Sequence, residues 1–132
     1  MKENYELRFF SDVLDWINAL AKEDPDSHDH VIAALERLQE AGPAIRRPTV
    51  GAISRSRFRN MRELRPRSGS RVSIRLLFAF DPARRAIFLV AGNKAADGKW
   101  GAWYREAVAA ADDKYAAYLQ AMEQEKHDEI EG

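Results

Sequence analysis

Short apolar runs separated by turn residues fill the middle of the chain, between positions 58 and 94, and predict three consecutive β-strands. Their sequences are FRNMRELRP, RVSIRLLFAFDP and AIFLVAGNK. The joins at 67–70 and 81–85 are short enough for antiparallel hairpins, which predicts a meander. In the middle run, the strand period of two puts these apolar residues on one face: Val72, Ile74, Leu76, Phe78 and Phe80. The opposite face carries Arg75, so we expect one core face and one face that carries arginine.

Helical spacing of apolar residues precedes this meander. Positions 11–22 predict a first helix with Ser11 as its N-cap, and a second helix runs to Ala41 with Asp26 or Ser27 as its cap. The Gly-Pro dipeptide that follows predicts the end of the second helix. We expect the two helices to form a hairpin whose apolar stripe covers the core face of the sheet. The third strand of the meander is apolar almost throughout, so we expect it to be central and covered on both faces.

Three further segments complete the pattern. Positions 5–9 alternate apolar and polar residues and predict an edge strand that pairs with the meander. Positions 44–57 have no sustained period and predict an exposed basic loop. A helical pattern begins at Trp100, as one helix or as two broken near 110–112, and the polar tail at about 123–132 is expected to fray.

These elements together predict an α+β fold in a single domain over residues 1–132. The N-terminal strand and the helix hairpin are expected to pack on an antiparallel sheet of three to four strands. A C-terminal helix is expected to follow the sheet.

Composition excludes several classes of protein. The chain has 132 residues, of which 45% are hydrophobic, so it is long enough to form a core without covalent staples. It contains no cysteine, which excludes a disulfide framework and a thiolate metal site. No apolar run approaches the length of a membrane span, and the first residues lack the basic-then-apolar order of a signal peptide. We therefore expect a cytoplasmic protein without a membrane partner.

Charge falls into three blocks, although it sums to zero. Positions 44–105 contain 15 Lys and Arg, 13 of them Arg, against 3 Asp and Glu; the counts are 4 against 10 over positions 1–43 and 2 against 8 over positions 106–132. The planar guanidinium of arginine suits phosphate. Two interpretations remain open: a polyanion-binding sheet flanked by acidic helices, or solvated arginines that pair internally with those helices.

The ordered combination of segments resembles one known family. MRELRPRSGSRVSIRLLFAFDP is similar to a Glu-Leu-Arg strand followed by an arginine-containing strand with an aromatic end and an Asp-Pro turn. AIFLVAGNKAADGKWGAWYREAVAAADDKY is similar to an apolar strand ending in Gly-X-Lys, a short gap, a Trp-Tyr pair and a helix, and LERLQEAGPAIRRPTVGAI is similar to the preceding helix end and loop. Over about residues 5–120 the chain thus resembles the RelE/ParE toxin superfamily, in its phage-derived HigB-like branch.

This resemblance implies a RelE-like fold and the toxin of a type II toxin–antitoxin pair, which in the RelE and HigB branches cuts mRNA in the ribosomal A site. The implied reaction uses no metal and no cofactor: the ribose 2′-hydroxyl attacks the adjacent phosphate and leaves a 2′,3′-cyclic phosphate and a free 5′-hydroxyl. It requires an acceptor for the 2′ proton, cations around the phosphorane and a proton donor for the leaving oxygen. The implied partners are the ribosome and mRNA, a cognate helix-turn-helix antitoxin and, through the antitoxin, operator DNA.

Three residues match catalytic positions of this family. Arg65 matches the strand-end arginine that binds phosphate and the transition state, and Lys94 matches the basic residue after the last strand, a phosphate stabiliser or proton donor. Tyr104 matches a C-terminal tyrosine that acts as a base or a stacking group in some members. Because the ordinary pKa of tyrosine is about 10, a role as base requires Lys94 or Arg65 nearby. The plainer interpretations are surface charges for Arg65 and Lys94 and a core side chain for Tyr104.

Further charged residues are candidates for binding. The candidate RNA contacts are Arg55, Arg57, Arg59, Arg62 and Arg75. Arg75 has a structural brace as its alternative, and Arg62 an ion pair with an acidic helix. The candidates for docking a basic antitoxin segment are Asp12, Asp15, Glu36 and Glu40. The histidines at 28, 30 and 127 lie on the acidic helices or the tail, so we expect no catalytic histidine, unlike toxins of this superfamily that use one. The general base therefore stays open.

Two other functions are compatible with this fold. A ParE-like member would inhibit DNA gyrase without nuclease activity, and a non-catalytic module would bind RNA or protein. Phe78, Phe80 and Phe88 do not decide between these functions, because their positions in the strands fit a core and a stacking platform needs exposed rings.

Overall fold

The structure is a computed structural model that describes residues 4–67, 72–95 and 100–131. In chain order its elements are β1 (Glu6–Phe9), α1 (Ser11–Glu23), α2 (Pro25–Ala41), a short 3-10 helix (Gly42–Ala44), β2 (Val50–Ala52), β3 (Met61–Leu64), β4 (Ile74–Phe80), β5 (Arg85–Asn93) and α3 (Trp100–Glu131). This content and order confirm the predicted α+β fold.

The strands of the described residues form a five-stranded sheet in the order β1-β5-β4-β3-β2. β3, β4 and β5 are the predicted antiparallel meander, and β1 pairs with it as predicted. β1 runs parallel to β5, with Leu7 opposite Ala86, so the sheet is mixed rather than antiparallel. The helix hairpin and the meander separate β1 from β5 along the chain, and a parallel pair requires such a long connection.

A fifth strand lies in the segment that was predicted to be an exposed loop. β2 pairs antiparallel with β3, and both Val50 and Gly51 are buried. The end of this segment is held against α3 by the buried carboxylate of Asp112. That carboxylate accepts the Ser56 hydroxyl at 2.5 Å and the Arg57 backbone N–H at 2.9 Å. The loop prediction was wrong because three residues are too few to show a strand period, and the docking comes from a helix distant in sequence.

Both faces of the sheet are covered. The α1–α2 hairpin packs on one face, where Leu76 and Phe78 of β4 join its apolar stripe, as predicted. α3 covers the other face, where Leu77 and Leu89 are buried against it. This second face is therefore a core as well, with arginine at its margins: Arg75 lies near Glu63, and Arg85 lies beside Tyr118 of α3. β5 is central and covered on both faces, as predicted.

The helix starts differ from the predicted caps. α1 is preceded by Phe10 as N-cap with no side-chain bond, so Ser11 is not its cap. α2 begins at Pro25 and is capped by Asp24, two residues before Asp26 and three before Ser27. The Asp24 carboxylate accepts the Ser27 backbone N–H at 3.2 Å and its hydroxyl at 2.5 Å. Proline suits the first helical position because the N–H it lacks would have no partner there.

The helix ends are simpler than the sequence suggested. Gly42 ends α2 with a φ of 57°, as predicted from the Gly-Pro dipeptide. α3 is one helix, and it continues through the polar tail to Glu131. Among the described residues, none of the helices has an apolar stretch of the length that a membrane crossing needs. The turn predicted at 67–70 lies outside the described residues except for Arg67.

Candidate functional site

The candidate site lies at one end of the sheet, on the face that α3 covers. In β3 the side chains alternate, so that Met61 contributes to the core under α3 and Leu64 to the core under the helix hairpin. Glu63 shares the α3 face with Met61, and it lies opposite Leu77 of β4. The first turns of α3 reach this end of the sheet with Tyr104.

Glu63 is the centre of the site, with 3% of its surface exposed. One of its carboxylate oxygens accepts the Arg65 Nε–H at 2.8 Å and lies 3.8 Å from the Arg75 Nε. The other oxygen accepts the hydroxyl of Tyr104 at 2.5 Å. Burying a carboxylate costs several kcal/mol unless it is paired and hydrogen-bonded, and Glu63 has both kinds of partner. The sequence prediction of the site omitted Glu63, although this residue joins three of the predicted residues.

A sequence signal for Glu63 existed. It is one of only 3 acidic residues in the basic segment 44–105, and it stands two positions before Arg65 in a predicted strand, on the same face. A charged residue at such a strand position is usually solvated. Glu63 is therefore predicted to be part of a site only once a helix is known to cover its face of the sheet.

Gly51 lets the guanidinium of Arg65 lie against β2. A Cβ built at Gly51 would fall 2.4 Å from the Arg65 Nη2 and 2.5 Å from its Cζ. Gly51 is also the pairing partner of Glu63 in the β2–β3 register. The glycine therefore gives the guanidinium room against the strand backbone, and a Cβ there would displace Arg65.

Arg75 is the most enclosed cation of the site, with 15% of its side chain exposed. Its Nη1–H donates to the Ile74 carbonyl at 2.8 Å, which fits the structural brace considered from the sequence. Its buried Nε makes no hydrogen bond among the described residues. Arg75 therefore keeps a donor that points to the same carboxylate as Arg65.

Lys94 stands over the aromatic start of α3. Its Nζ lies 5.0 Å from the ring centroid of Trp100 and 5.2 Å from that of Tyr104. These are cation–π distances. Burial, and then the charges of Arg75 and Arg65, lower the pKa of Lys94, while the charge of Glu63 acts in the opposite direction.

Tyr104 holds its proton firmly. Burial, followed by the hydrogen bond to Glu63 and the charge of that carboxylate, raises the pKa of Tyr104 to about 12. The predicted neighbour Lys94 is present at the ring, yet the net shift has the sign opposite to the one that a tyrosinate base requires. Near neutral pH Tyr104 is a phenol that donates to Glu63.

A cleft of about 300 Å³ opens beside this cluster. Its lining includes Glu63, Tyr104 and Arg55, together with Gly101 of α3. Of the predicted RNA contacts, Arg55 therefore lies at the cleft and Arg75 lies next to Glu63, as does the predicted catalytic residue Arg65.

The other predicted RNA contacts are engaged elsewhere. Arg57 donates from Nη1 to Asp113 of α3 at 3.3 Å. Arg62 donates from Nη1 to the carbonyls of Arg59 at 2.5 Å and Met61 at 2.9 Å, rather than to an acidic helix. Arg59 is exposed beside it. Arg57 and Arg59 thus precede β3 and Arg62 lies near its start, outside the Glu63 cluster.

The acidic helices and the histidines lie apart from this cluster. Asp12 of α1 forms an ion pair with Lys114 of α3, so one of the proposed docking acids is used internally. His28 and His30 lie on α2, and His127 lies in the last turns of α3. Among the described residues, no three acidic or histidine side chains are grouped so that they could hold a metal ion.

The fold and the site define a class of protein: an α+β domain whose sheet carries, at one end, an excess of cations around one buried carboxylate. Residues 15–116 match the family model described as "Phage derived protein Gp49-like (DUF891)", and the chain belongs to this family. The resemblance noted in the sequence is thereby confirmed.

Two relatives from Mycobacterium tuberculosis are similar over most of this chain. A protein named "Putative toxin HigB2" is 49% identical over 111 residues, which cover 84% of this chain and 53% of the relative. A protein named "Putative toxin HigB3" is 42% identical over 104 residues, which cover 79% of this chain and 84% of the relative. The chain thus spans about half the length of the first relative and most of the second. No solved structure matches the chain.

Proposed function

We propose that this chain is the toxin of a type II toxin–antitoxin pair, a cytoplasmic, ribosome-dependent endoribonuclease that cuts mRNA without a metal ion. The observation that carries the proposal is the cluster at Glu63, where one buried carboxylate organises Arg65, Arg75 and Tyr104 beside Lys94. Three cations against one carboxylate leave positive charge for a phosphate. The names of the two relatives support the toxin class.

Arg65 and Arg75 are proposed to hold the scissile phosphate. Glu63 engages Arg65 through its Nε–H, which leaves the two Nη groups for a fork of hydrogen bonds to phosphate oxygens. The side chain of Arg65 is 30% exposed, and so it is reachable from solvent. Donors of this kind, held in place before the reaction, typically contribute about 10²–10³-fold each to the rate.

Glu63 is proposed as the final acceptor of the 2′ proton, with Tyr104 as the relay. The 2′-hydroxyl passes its proton to the Tyr104 oxygen while Tyr104 passes its own proton to the Glu63 carboxylate. The freed 2′ oxygen forms a bond to phosphorus, and the bond from phosphorus to the 5′ oxygen breaks. This route needs no tyrosinate, in keeping with the raised pKa of Tyr104.

Lys94 is proposed as the donor to the leaving 5′ oxygen. Its lowered pKa makes the ammonium a stronger acid than an ordinary lysine, and this favours transfer of a proton to an alkoxide. Exchange with water then restores the proton to Lys94 and removes the one from Glu63, so that atoms and charge balance over a turnover.

The remaining arginines have graded roles in this proposal. Arg55 contacts RNA at the cleft, whereas Arg59 and Arg62 contact backbone phosphates near the start of β3. Arg57 contributes mainly by fastening its loop to α3. A cognate helix-turn-helix antitoxin is the proposed partner, with operator DNA reached through it.

The test is primer extension on cellular mRNA after brief induction of the chain. Wild type is compared with Arg65→Ala/Lys94→Ala and with Arg84→Ala, which removes an exposed arginine at the β4–β5 turn. We expect new 5′ ends at in-frame codon positions with wild type and Arg84→Ala, and none with the double variant. Thermal unfolding of the purified variants controls for folding.

Two outcomes would contradict this proposal. Growth arrest without new 5′ ends would reject mRNA cleavage and direct the work to DNA gyrase assays. Unchanged cleavage by a folded Arg65→Ala/Lys94→Ala protein would reject the assigned residues.

A further inference from the structure

A second groove, whose lining shares no residue with that of the cleft, includes Arg65 and Arg75. It has a volume of about 610 Å³. Its lining consists of Arg37, Pro48, Thr49, Arg65, Pro66, Arg67, Ser73 and Arg75. Arg65 and Arg75 are also the two arginines next to the Glu63 carboxylate, so the groove begins where the proposed scissile phosphate binds.

From this groove we propose a track for the sugar-phosphate backbone of single-stranded RNA, in which Arg37 and Arg67 bind phosphates that flank the cleaved bond. This inference rests on the proposed function, because that function places the scissile phosphate at Arg65 and Arg75. Neither Arg37 nor Arg67 belongs to the cluster at Glu63.

The charge of the groove points to a polyanion. Four of the eight lining residues are arginines, and none of the lining residues described by the structure is acidic. Glu63, the nearby carboxylate, lines the cleft instead and is already bound to Arg65. Four guanidinium groups around one groove, with the single negative charge of Glu63 beside two of them, leave an excess of positive charge and a positive local potential.

Arg37 is the most informative member of this set. α2 belongs to the acidic N-terminal block, and Arg37 is its single Lys or Arg, flanked by Glu36 and Glu40. The groove lining contains Arg37 and neither of those glutamates. The one cation of the helix is thus placed at the groove, which a purely solvated helix face does not require.

The side chains of the groove lining supply groups that can bind an anion. The carbonyl of Thr49 accepts the Arg65 backbone N–H at 2.7 Å, and the carbonyl of Ser73 accepts the Lys94 backbone N–H at 2.9 Å. Pro48 and Pro66 carry no N–H that could bind a ligand. Among the lining side chains, the polar groups that can bind an anion are guanidinium and hydroxyl groups, which are common phosphate ligands.

The chemistry of the lining favours backbone over base recognition. Among the residues described, the groove has no aromatic side chain on which a base could stack, whereas the cleft has Tyr104. Contacts to phosphate carry no sequence information, so the groove is expected to add affinity without a preference for particular bases.

The test measures the salt dependence of RNA binding by the full chain. The probe is a labelled single-stranded 2′-O-methyl oligoribonucleotide, which lacks the attacking hydroxyl, and its fluorescence anisotropy is followed between about 50 and 200 mM salt. Arg37→Gln/Arg67→Gln is compared with wild type and with Arg84→Gln as the matched control. Removing one cation that neutralises a phosphate lowers the slope of log affinity against log salt by about 0.7, so we expect the slope of the double variant to fall by about 1.4.

The outcomes separate this proposal from the nuclease proposal. A double variant with the wild-type slope, or a slope reduced equally in Arg84→Gln, overturns the groove even if wild type cleaves mRNA in cells. A slope reduced only in the double variant supports the groove even if cellular cleavage fails. An oligoglutamate peptide that displaces the RNA from wild type and binds more tightly than RNA would overturn it in favour of an acidic protein partner.

Discussion

Glu63 and Asp81 are two buried carboxylates with the same two kinds of partner, an arginine Nε–H and a tyrosine hydroxyl from α3. The hydrogen bonds are 2.8 Å and 2.5 Å long at Glu63, and 3.0 Å and 2.7 Å long at Asp81. Burial together with the carboxylate raises the pKa of the tyrosine in each cluster, Tyr104 and Tyr118, to about 12. Local chemistry alone therefore does not distinguish the two clusters.

The Asp81 carboxylate is fully engaged by donors from its own surroundings. The Asp81 carboxylate also accepts the backbone N–H groups of Ala83 at 2.9 Å and Arg85 at 2.8 Å, and so it fastens the turn between β4 and β5. The guanidinium of Arg85 faces a second carboxylate, that of Glu6, with Nε and oxygen 3.6 Å apart. The two carboxylates outnumber this guanidinium, so the cluster leaves no positive charge for an anion.

The Glu63 cluster has the opposite balance. Arg65 and Arg75 approach the one carboxylate. Lys94 lies over the ring of Tyr104, whose hydroxyl donates to that carboxylate. The excess positive charge lies beside a cleft and a groove, so it is available to a ligand. The difference teaches that the number of cations per carboxylate, and not burial or bond length, separates a structural cluster from a candidate anion site.

The largest expected effect is the loss of stability caused by Asp81→Ala. It leaves Arg85 and two backbone N–H groups without their acceptor, which should lower the free energy of unfolding by about 3–5 kcal/mol. Urea unfolding measures the change. The control is Asp113→Ala, whose carboxylate is 77% exposed and whose loss should change the stability by no more than about 0.5 kcal/mol. A loss below about 1 kcal/mol for Asp81→Ala would refute its structural role.

Glu63→Gln is expected to have a smaller effect on stability and a separate effect on function. The amide keeps the size and one acceptor, so the free energy of unfolding should fall by about 1–3 kcal/mol. Affinity for the 2′-O-methyl oligoribonucleotide should not fall, because a negative charge is removed from the arginines. Cleavage in the primer-extension assay should fall at least about 100-fold if Glu63 accepts the 2′ proton. Full cleavage with folding intact would exclude that role.

Tyr104→Phe and Tyr118→Phe form a matched pair. Each removes one hydroxyl that donates to a buried carboxylate, and each should lower the free energy of unfolding by about 1–2 kcal/mol. Only Tyr104→Phe should reduce mRNA cleavage, by about 100-fold, because it breaks the proposed proton relay. Equal cleavage by the two folded variants would remove Tyr104 from the mechanism.

The smallest expected effect is on tyrosine ionisation, which compares the Glu63 cluster with the Asp81 cluster through the pKa values of Tyr104 and Tyr118. Of the four tyrosines, Tyr104 and Tyr118 should form phenolate near pH 12 in an ultraviolet titration. Glu63→Gln removes a negative charge and should lower the pKa of Tyr104 while that of Tyr118 stays unchanged. Because both pKa values are raised on folding, their contribution to stability is complete below about pH 10 and is lost as the pH rises towards 12. A Tyr104 pKa that Glu63→Gln does not lower would contradict the hydrogen bond between them.

Some features were determined by the sequence alone. The period of two in β4 predicted which side chains share a face, and Gly42 predicted the end of α2. The meander and the α+β order followed from apolar runs and turn residues, and the family resemblance brought Arg65, Lys94 and Tyr104 forward. The predictions of the strand faces, of the meander and of the end of α2 succeeded because periodicity, turns and a Gly-Pro helix stop depend on residues that are close together in the chain.

Other features were decided only by the tertiary structure. β2 forms because β3 offers it a pairing edge, and Glu63 is buried because α3, which begins 37 positions later, lies over the sheet. The firm hold of Tyr104 on its proton likewise depends on a carboxylate 41 positions away. Burial and charge pairing are properties of residues brought together from distant parts of the chain. The sequence therefore supplied the cations of the candidate site, and folding decided which carboxylate organises them.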